Sequence, residues 1–510
     1  MAVGPSFAAD GKSTVAVTHL ASARSQNSGN GTLGIFKYGA FRGSFFCVKK
    51  AFPESNCMDR RMIFLFIVLG ILCFAITLSE DTIRTSDISF QTNKDEETSV
   101  SAAETQTADA AKTVQTQGES WICTLTDVPE IRVVLSKDHS GQIMANMLTV
   151  SWSEETTVDG ENYSAGSRTF GAEDIPEEGL CLQTKGKFTI DFDGCQDERV
   201  FTGKLCLYAK NQQIYAVNTL SLEEYTACVV PGEMPSYYPI EALKAQAVCA
   251  RTYALRHQNG EEEYHADLGD TVSWQVFNSV GRAEKTDEAV EETRGEVILT
   301  GDEPAELYFF STSYGFSGTD DVWNTDPVSP CLKPVYAGKG EKHLESEQDF
   351  AAYITGSDDN AWEKGEDWFR WQITFSQDQL IRLCKMRDDT VTEVTDIQVT
   401  KRSSGYVATE LTVSCGKKTL VISGEYDIRE FFSPNNVELT NQRETQTDRR
   451  VLPSGYFVME TVKKEGKITK TTLFGGGLGH GAGMSQNGAK GMAEAGRDYR
   501  DILATFFDIH

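Results

Sequence analysis

The chain has 510 residues, 75 Asp plus Glu against 48 Lys plus Arg, and a formal net charge of −27. That length allows roughly two or three ordinary domains, and 40% hydrophobic with 24% charged residues makes most of the chain globular. Such acidity excludes a nucleic-acid-binding surface, which needs clustered Lys and Arg, and argues against broad attraction to anionic lipid.

Residues 1–57 are rich in Ser, Gly and Ala without a sustained period, and are expected to be an upstream extension, with Met58 as the natural start. Residues 1–61 carry eight Lys/Arg against three Asp/Glu, a net +5, so the rest of the chain holds −32. The run Met62–Leu78 follows, 17 residues with no charge and no Pro. That is near the lower limit for a spanning helix and longer than the usual apolar region of a cleaved signal peptide. No A-x-A site follows it. Residues 62–79 are therefore expected to be an uncleaved anchor behind a short head, 58–61, with Arg60 and Arg61 placing the N-terminus in the cytoplasm. Residues 80–120 are mostly Thr, Ser, Asp, Glu, Ala and Gln. They cannot bury enough apolar surface to offset their ordering entropy, so they are expected to be a flexible acidic tether.

The folded part is expected over 121–510. Strands are predicted at 131–135, 143–152, 204–208, 212–220, 226–230, 296–300, 305–310, 397–400, 408–413 and 419–422, from runs of β-branched and aromatic residues between turn signals. Pro239–Gln258 is predicted as a helix: Leu243, Ala247, Ala250 and Ala254 recur at helical spacing, and Pro239 suits a first turn. A glycine-rich turn at Gly475–Gly483 leads to a last helix near Gly488–Ala495. Strand runs followed by separate helices predict an α+β fold. Nine cysteines follow the apolar run without a CxxC pair, which gives a weak metal signal and leaves at least one thiol outside any intramolecular pairing.

Chemistry points first to Pro231-Gly232-Glu233-Met234-Pro235. Two prolines fix a short segment and aim the carboxylate between them, as a general acid requires. In the glycine-rich stretch, Gly483 and Gly488 have P-loop spacing, but Ala489-Lys490 follows instead of Lys-Ser/Thr, so a phosphate site is excluded. His480 projects from this stretch, and no G-x-S-x-G elbow frames Ser485.

The run from Val229 through Pro231-Gly-Glu-Met-Pro235 to Tyr253 resembles the first signature of the SpoIID/LytB family, and Gly479-His-Gly-Ala-Gly-Met-Ser-Gln-Asn-Gly488 resembles its second. Asp270-Thr271, Gln275-Val-Phe277, Thr293-Arg-Gly295 and Tyr308–Ser313 fall between them in the family's order. The likeness covers about 204–510, with motif cores at 204–315 and 451–510 and an elaborated region at about 335–450. It implies a SpoIID-like α+β domain with a substrate groove. It also implies lytic transglycosylase activity that cuts MurNAc–GlcNAc bonds of denuded peptidoglycan strands to 1,6-anhydroMurNAc ends. The expected setting is spore engulfment, beside a cell-wall amidase and other engulfment membrane proteins. The alternative is a non-catalytic amidase enhancer that binds glycan and amidase. The resemblance makes Glu233 the catalytic acid, covered by Met234, Tyr237 and Tyr238. It puts Lys244, Arg251, Gln275, Tyr308, Ser311 and His480 at the substrate, and Tyr238, Trp274 and Trp323 are candidates for stacking on sugars. Lys244 and Arg251 lie two helical turns apart and so on one face. No cofactor is expected. Some relatives hold zinc through Cys and His before the Gln275 segment; Gly269-Asp-Thr-Val-Ser-Trp-Gln275 lacks both, so no metal is expected. The family's Ser-Gly-Gly is Ser313-Tyr314-Gly315 here.

Overall fold

The computed structural model describes residues 119–137, 140–196, 199–278 and 282–510. The expected extension, head and anchor, and all but the last two residues of the expected tether, lie outside the described residues. Among the described residues no helix is long and apolar enough to cross a membrane. Folded structure begins at Ser120, where strand Ser120–Thr124 pairs antiparallel with Glu296–Thr300.

The first layer is built on strands. A seven-stranded sheet runs, edge to edge, Leu268–Gly269, Glu130–Val134, Gln213–Ser221, Lys204–Lys210, Leu180–Thr184, Thr156–Val158 and Glu161–Tyr163. Its central hairpin pairs Lys204 with Thr219 through Lys210 with Gln213. The two-residue turn puts Asn211 and Gln212 at φ 52° and 63°, the left-handed pair that matches strand twist in a tight hairpin. Cys181 and Cys206 face each other across neighbouring strands and form a disulfide. A four-stranded sheet that includes Met147–Trp152 and Phe188–Phe192 packs its apolar residues into the same core, with Ile131, Leu148, Phe170, Leu205 and Leu207.

The helices are, in chain order, α1 (Leu222–Glu233), α2 (Ile240–Arg256), α3 (Glu284–Glu292), α4 (Glu347–Thr355), α5 (Gln377–Lys385), α6 (Glu425–Phe431), α7 (Gln486–Glu494) and α8 (Tyr499–Phe506). The strand predicted at 226–230 is part of α1. Ser221 caps that helix by accepting from the Glu224 amide, and Glu223 and Glu224 lie in its first turn. Thr226–Val230 is buried on every side, and such an apolar run carries no period by which strand and helix differ. Helix α2 is the predicted long helix. Eleven of its 17 residues are buried, because α1, α3, α7 and α8 surround it.

The second layer closes on its own core. A five-stranded sheet runs Thr445–Gln446, Leu439–Asn441, Trp371–Ser376, Lys467–Gly475 and Phe457–Lys464, beside a meander of Asp396–Arg402, Ala408–Cys415 and Lys418–Ser423. Trp371, Phe375, Leu411, Phe432 and Leu473 fill the space between them. This sheet takes strands from both sides of residue 450, so the expected elaborated region is completed by residues 457–475. Separate sheets with helices packed beside them make an α+β architecture, as predicted.

Candidate active site

Glu233 is the last residue of α1, and Met234 caps the helix. At that end the unpaired carbonyls disfavour an anion. Gly232 lets a second segment come close: a Cβ there would stand 2.4 Å from the Val276 carbonyl oxygen. The Val276 amide in turn donates to Glu233 Oε1 at 2.8 Å. From the other side, the Gln486 amide donates to Oε2 at 3.5 Å. Burial pushes the Glu233 carboxyl above its ordinary range, and these two donors only partly oppose it.

The second signature reaches the site through a short parallel pairing. Phe309 and Phe310 pair with Met484 and Ser485, and Thr312 exchanges hydrogen bonds with Leu478 at 3.0 and 2.8 Å. Gly483, at φ 77°, is required here: a Cβ would stand 2.1 Å from the Tyr308 carbonyl oxygen. Only the last two residues of the strand predicted at 305–310 form this ladder.

These segments enclose a cleft of about 350 Å³. Glu233 is the carboxylate on its wall. Tyr253, Val276, Tyr308, Phe309 and Phe310 surround it, with Ser311 and His480 alongside and Val272, Trp274 and Trp323 at the lip. Three of the sequence-predicted residues, Tyr308, Ser311 and His480, are thus brought together with Glu233. Trp274 and Trp323 also line the cleft, whereas Tyr238 is buried and donates its hydroxyl proton to Asn487 Oδ1 at 2.6 Å. The expected cover of Glu233 is corrected. Tyr237 is 76% exposed, while Met234 and Tyr238 pack into the helical core. The cleft face of Glu233 is instead walled by Tyr253, Val276, Tyr308 and the strand Phe309–Phe310.

His480 has no free ring nitrogen. The Ala482 amide donates to Nδ1 at 3.1 Å, so Nε2 carries the proton and donates to the Phe309 carbonyl at 3.0 Å. Burial, helped by the charge of Arg429, lowers its pKa to about 4. It is a neutral strut of the cleft, unsuited to act as a base. Gln275 is fully buried behind the lip and accepts the Tyr225 hydroxyl proton at 2.9 Å.

Lys244 and Arg251 are not brought to the cleft, and the expected common polar face is corrected. Lys244 pairs with Glu241 and Glu292 at 2.7 and 2.6 Å. Arg251 is 0% exposed, because α1 and α3 cover that part of α2. Its guanidinium donates to both Glu223 oxygens at 2.7 to 3.1 Å, to the Val290 carbonyl at 2.6 Å and to Thr293 Oγ1 at 3.1 Å. Among the described residues no group of three or more His, Cys, Asp or Glu side chains is arranged to hold a metal ion.

Sequence reasoning missed Gln486 and the Val276 amide, which hold the acid, and Tyr253, which walls it. Gln486 stands inside the second signature, but its partner lies 253 residues earlier.

Residues 210–299 match the family model described as SpoIID, stage II sporulation protein, and residues 317–483 match a domain of unknown function, DUF8618. An uncharacterized protein of Brachyspira hyodysenteriae is 28% identical over 339 residues, 66% of this chain and 76% of that protein. The stage II sporulation protein D of Bacillus subtilis is 27% identical over 312 residues, 57% of this chain and 74% of that protein. The amidase enhancer of Bacillus subtilis is 25% identical over 286 residues, 55% of this chain but 39% of its own length. Both signature segments thus close on one cleft in a chain that carries the SpoIID family domain over residues 210–299 and is similar over more than half its length to a stage II sporulation protein D and to an amidase enhancer.

Proposed function

We propose that this protein is a membrane-anchored lytic transglycosylase that cleaves the MurNAc–GlcNAc bonds of peptide-free peptidoglycan strands. The observation that carries the reading is a carboxyl group with a raised pKa on the wall of an aromatic-lined cleft, held by two amide donors. Glycosidases that use external water need two carboxylates, an acid plus a base or nucleophile. A transglycosylase needs one. Glu233 gives its proton to the glycosidic oxygen as the bond from that oxygen to C1 breaks. The 6-hydroxyl oxygen of the same MurNAc then bonds to C1, closing a 1,6-anhydro ring, and its proton returns to Glu233. A raised pKa keeps the acid protonated to a higher pH than an ordinary carboxyl group would be. Trp274 and Trp323 offer ring faces for sugars, and Tyr308 and Ser311 offer hydroxyls.

The setting follows from the same reading. The apolar run 62–78 anchors the chain with the catalytic region outside the cytoplasm, and the Cys181–Cys206 disulfide fits an oxidising compartment. A cell-wall amidase that strips peptides would supply the substrate during spore engulfment, beside other membrane proteins. Similarity to a protein named amidase enhancer favours a second reading, in which the cleft binds glycan and the protein assists an amidase without cleaving.

The test incubates the full-length protein with peptide-free glycan and reads anhydroMurNAc ends by mass spectrometry. Wild type is expected to make them and Glu233→Gln to make none. Equal product from the variant would overturn the role of Glu233. No product from wild type, with an amidase still stimulated, would favour the second reading.

A further inference from the structure

Glu363 is a buried carboxyl group that the reaction above does not use. It lies within the stretch matching the domain of unknown function, and it is 0% exposed. Its partners are an amide and two hydroxyls rather than a cation. The Ser313 amide donates to Oε2 at 2.5 Å, the Ser313 hydroxyl donates to Oε1 at 2.8 Å, and the Ser485 hydroxyl completes the set. The fit is tight from the α7 side. A Cβ on Gly488 would stand 2.7 Å from Glu363 Oε1, and one on Gly491 would stand 2.7 Å from the Trp362 carbonyl oxygen. Both glycines leave α7 as bare backbone where this segment docks.

The two serines are cleft residues by one step. Ser313 ends the Tyr308–Ser313 motif, two residues after Ser311 on the cleft wall. Ser485 is the N-cap of α7, accepting from the Gly488 amide at 3.3 Å, and the Ser313 amide also points to it at 3.2 Å. The next residue, Gln486, donates to Glu233 Oε2 and approaches Gln246 Oε1 at 3.4 Å. A continuous path of hydrogen bonds and one peptide step joins Glu363 to the acid.

We propose that Glu363 is a positioning residue for Glu233, fixing Ser313 and Ser485 and, through Ser485, the Gln486 amide that holds the acid. The inference rests on the reading of Glu233 as the general acid. Burial pushes Glu363 up to about 8, so near neutral pH it is an uncharged acid that can donate as well as accept. Above that pH it becomes an acceptor only, a buried anion without a counter-ion, whose burial its three donors offset only in part. The two tyrosines that face it keep their protons across this window. Burial raises Tyr238 and Tyr456, and Glu366, the like charge three residues on, is paired with Lys490 at 2.8 Å, whose pKa is raised by that contact. The folded state keeps the Glu363 proton to about pH 8, whereas the unfolded chain releases it near about pH 4.3. The stability it contributes is therefore present at low pH and lost as pH rises through that window.

The experiment follows cleavage of peptide-free glycan by full-length wild type, Glu363→Gln and Glu363→Ala between pH 6.5 and 9.5, with thermal midpoints in parallel. At pH 7, Glu363→Ala is expected to lose tenfold or more in kcat with KM within twofold, and Glu363→Gln to recover most of that loss. The wild-type midpoint should fall as pH rises toward about 8 and level off above it, and Glu363→Gln should lack that fall. An alanine variant as fast as wild type, or the same fall in midpoint in Glu363→Gln, would overturn the proposal. If wild type makes no product, the transglycosylase reading fails separately. Glu363 is then judged by carbon-13 NMR of the Glu233 carboxyl. A second inflection near pH 8 that vanishes in Glu363→Gln supports it, and a single inflection in wild type overturns it.

Discussion

Arg251 offers a sharp test of whether a residue of the first signature serves the substrate or the scaffold. Replacing it by Ala deletes a guanidinium that ties α1, α2 and α3 through Glu223, Val290 and Thr293. The Glu223 carboxylate left behind is 7% exposed in its side chain and keeps only the Gly295 amide at 2.9 Å. Breaking a buried pair by removing one partner costs about 3–5 kcal/mol, and the emptied volume adds to that. A whole domain is stable by roughly 5–15 kcal/mol, so the variant should stand near the edge of folding. Urea unfolding followed by tryptophan fluorescence should show a midpoint shift of that size. The double variant Glu223→Gln with Arg251→Met removes both charges, keeps an acceptor for the Gly295 amide, and should recover most of the loss. A single Arg251→Ala variant within about 1 kcal/mol of wild type, yet with KM raised severalfold, would refute the scaffold role and return Arg251 to the substrate.

Gly232→Ala should lower kcat by about tenfold or more, since a Cβ at 2.4 Å from the Val276 oxygen pushes away the segment that donates to Glu233; initial rates on glycan check it. Trp323→Ala should raise KM by about two- to tenfold through loss of a stacking face worth about 0.5–1.5 kcal/mol. Its stability should change little, because Trp323 is 41% exposed; substrate titration with a melting curve separates the two effects. Because burial raises the Glu233 carboxyl, and a general acid works only when protonated, kcat/KM should fall as pH rises through a point above the ordinary carboxylate range. A pH–rate profile that is already falling at about pH 4 would contradict it.

Much of this was open to reading from residue order. Pro239, the strong helix formers behind it and the spacing of Leu243, Ala247, Ala250 and Ala254 announce α2. The hairpin at Asn211 is announced by its turn. What failed did so for identifiable reasons. The apolar run 226–230 looks like a strand because a fully enclosed helix has no polar face to set a period. Lys244 and Arg251 share a face by spacing, but spacing does not say that α1 and α3 bury the second completely while the first pairs with Glu241 and Glu292. The Cys181–Cys206 bond depends on which strands become neighbours. Gln486 and Glu363 meet their partners only after the chain has folded back over distances of 253 and 50 residues. Local pattern carries no trace of either.

The long stretch between the two signatures leaves and returns at one place. The Gly318 amide donates to the Gly481 carbonyl at 2.8 Å, and the Gly483 amide donates to the Gly318 carbonyl at 3.0 Å. Everything between is a loop whose ends are already closed. Doubling the length of such a loop costs only about 0.6 kcal/mol of closure entropy. Length added to this stretch would therefore cost little by itself, as long as the closure at Gly318 and Gly481 is kept. Here that freedom is curtailed, because the loop sends Trp362, Glu363 and Glu366 back against α7. An appendage by topology has become a keystone by contact, and a deletion that spares both signatures would still cost the site its support.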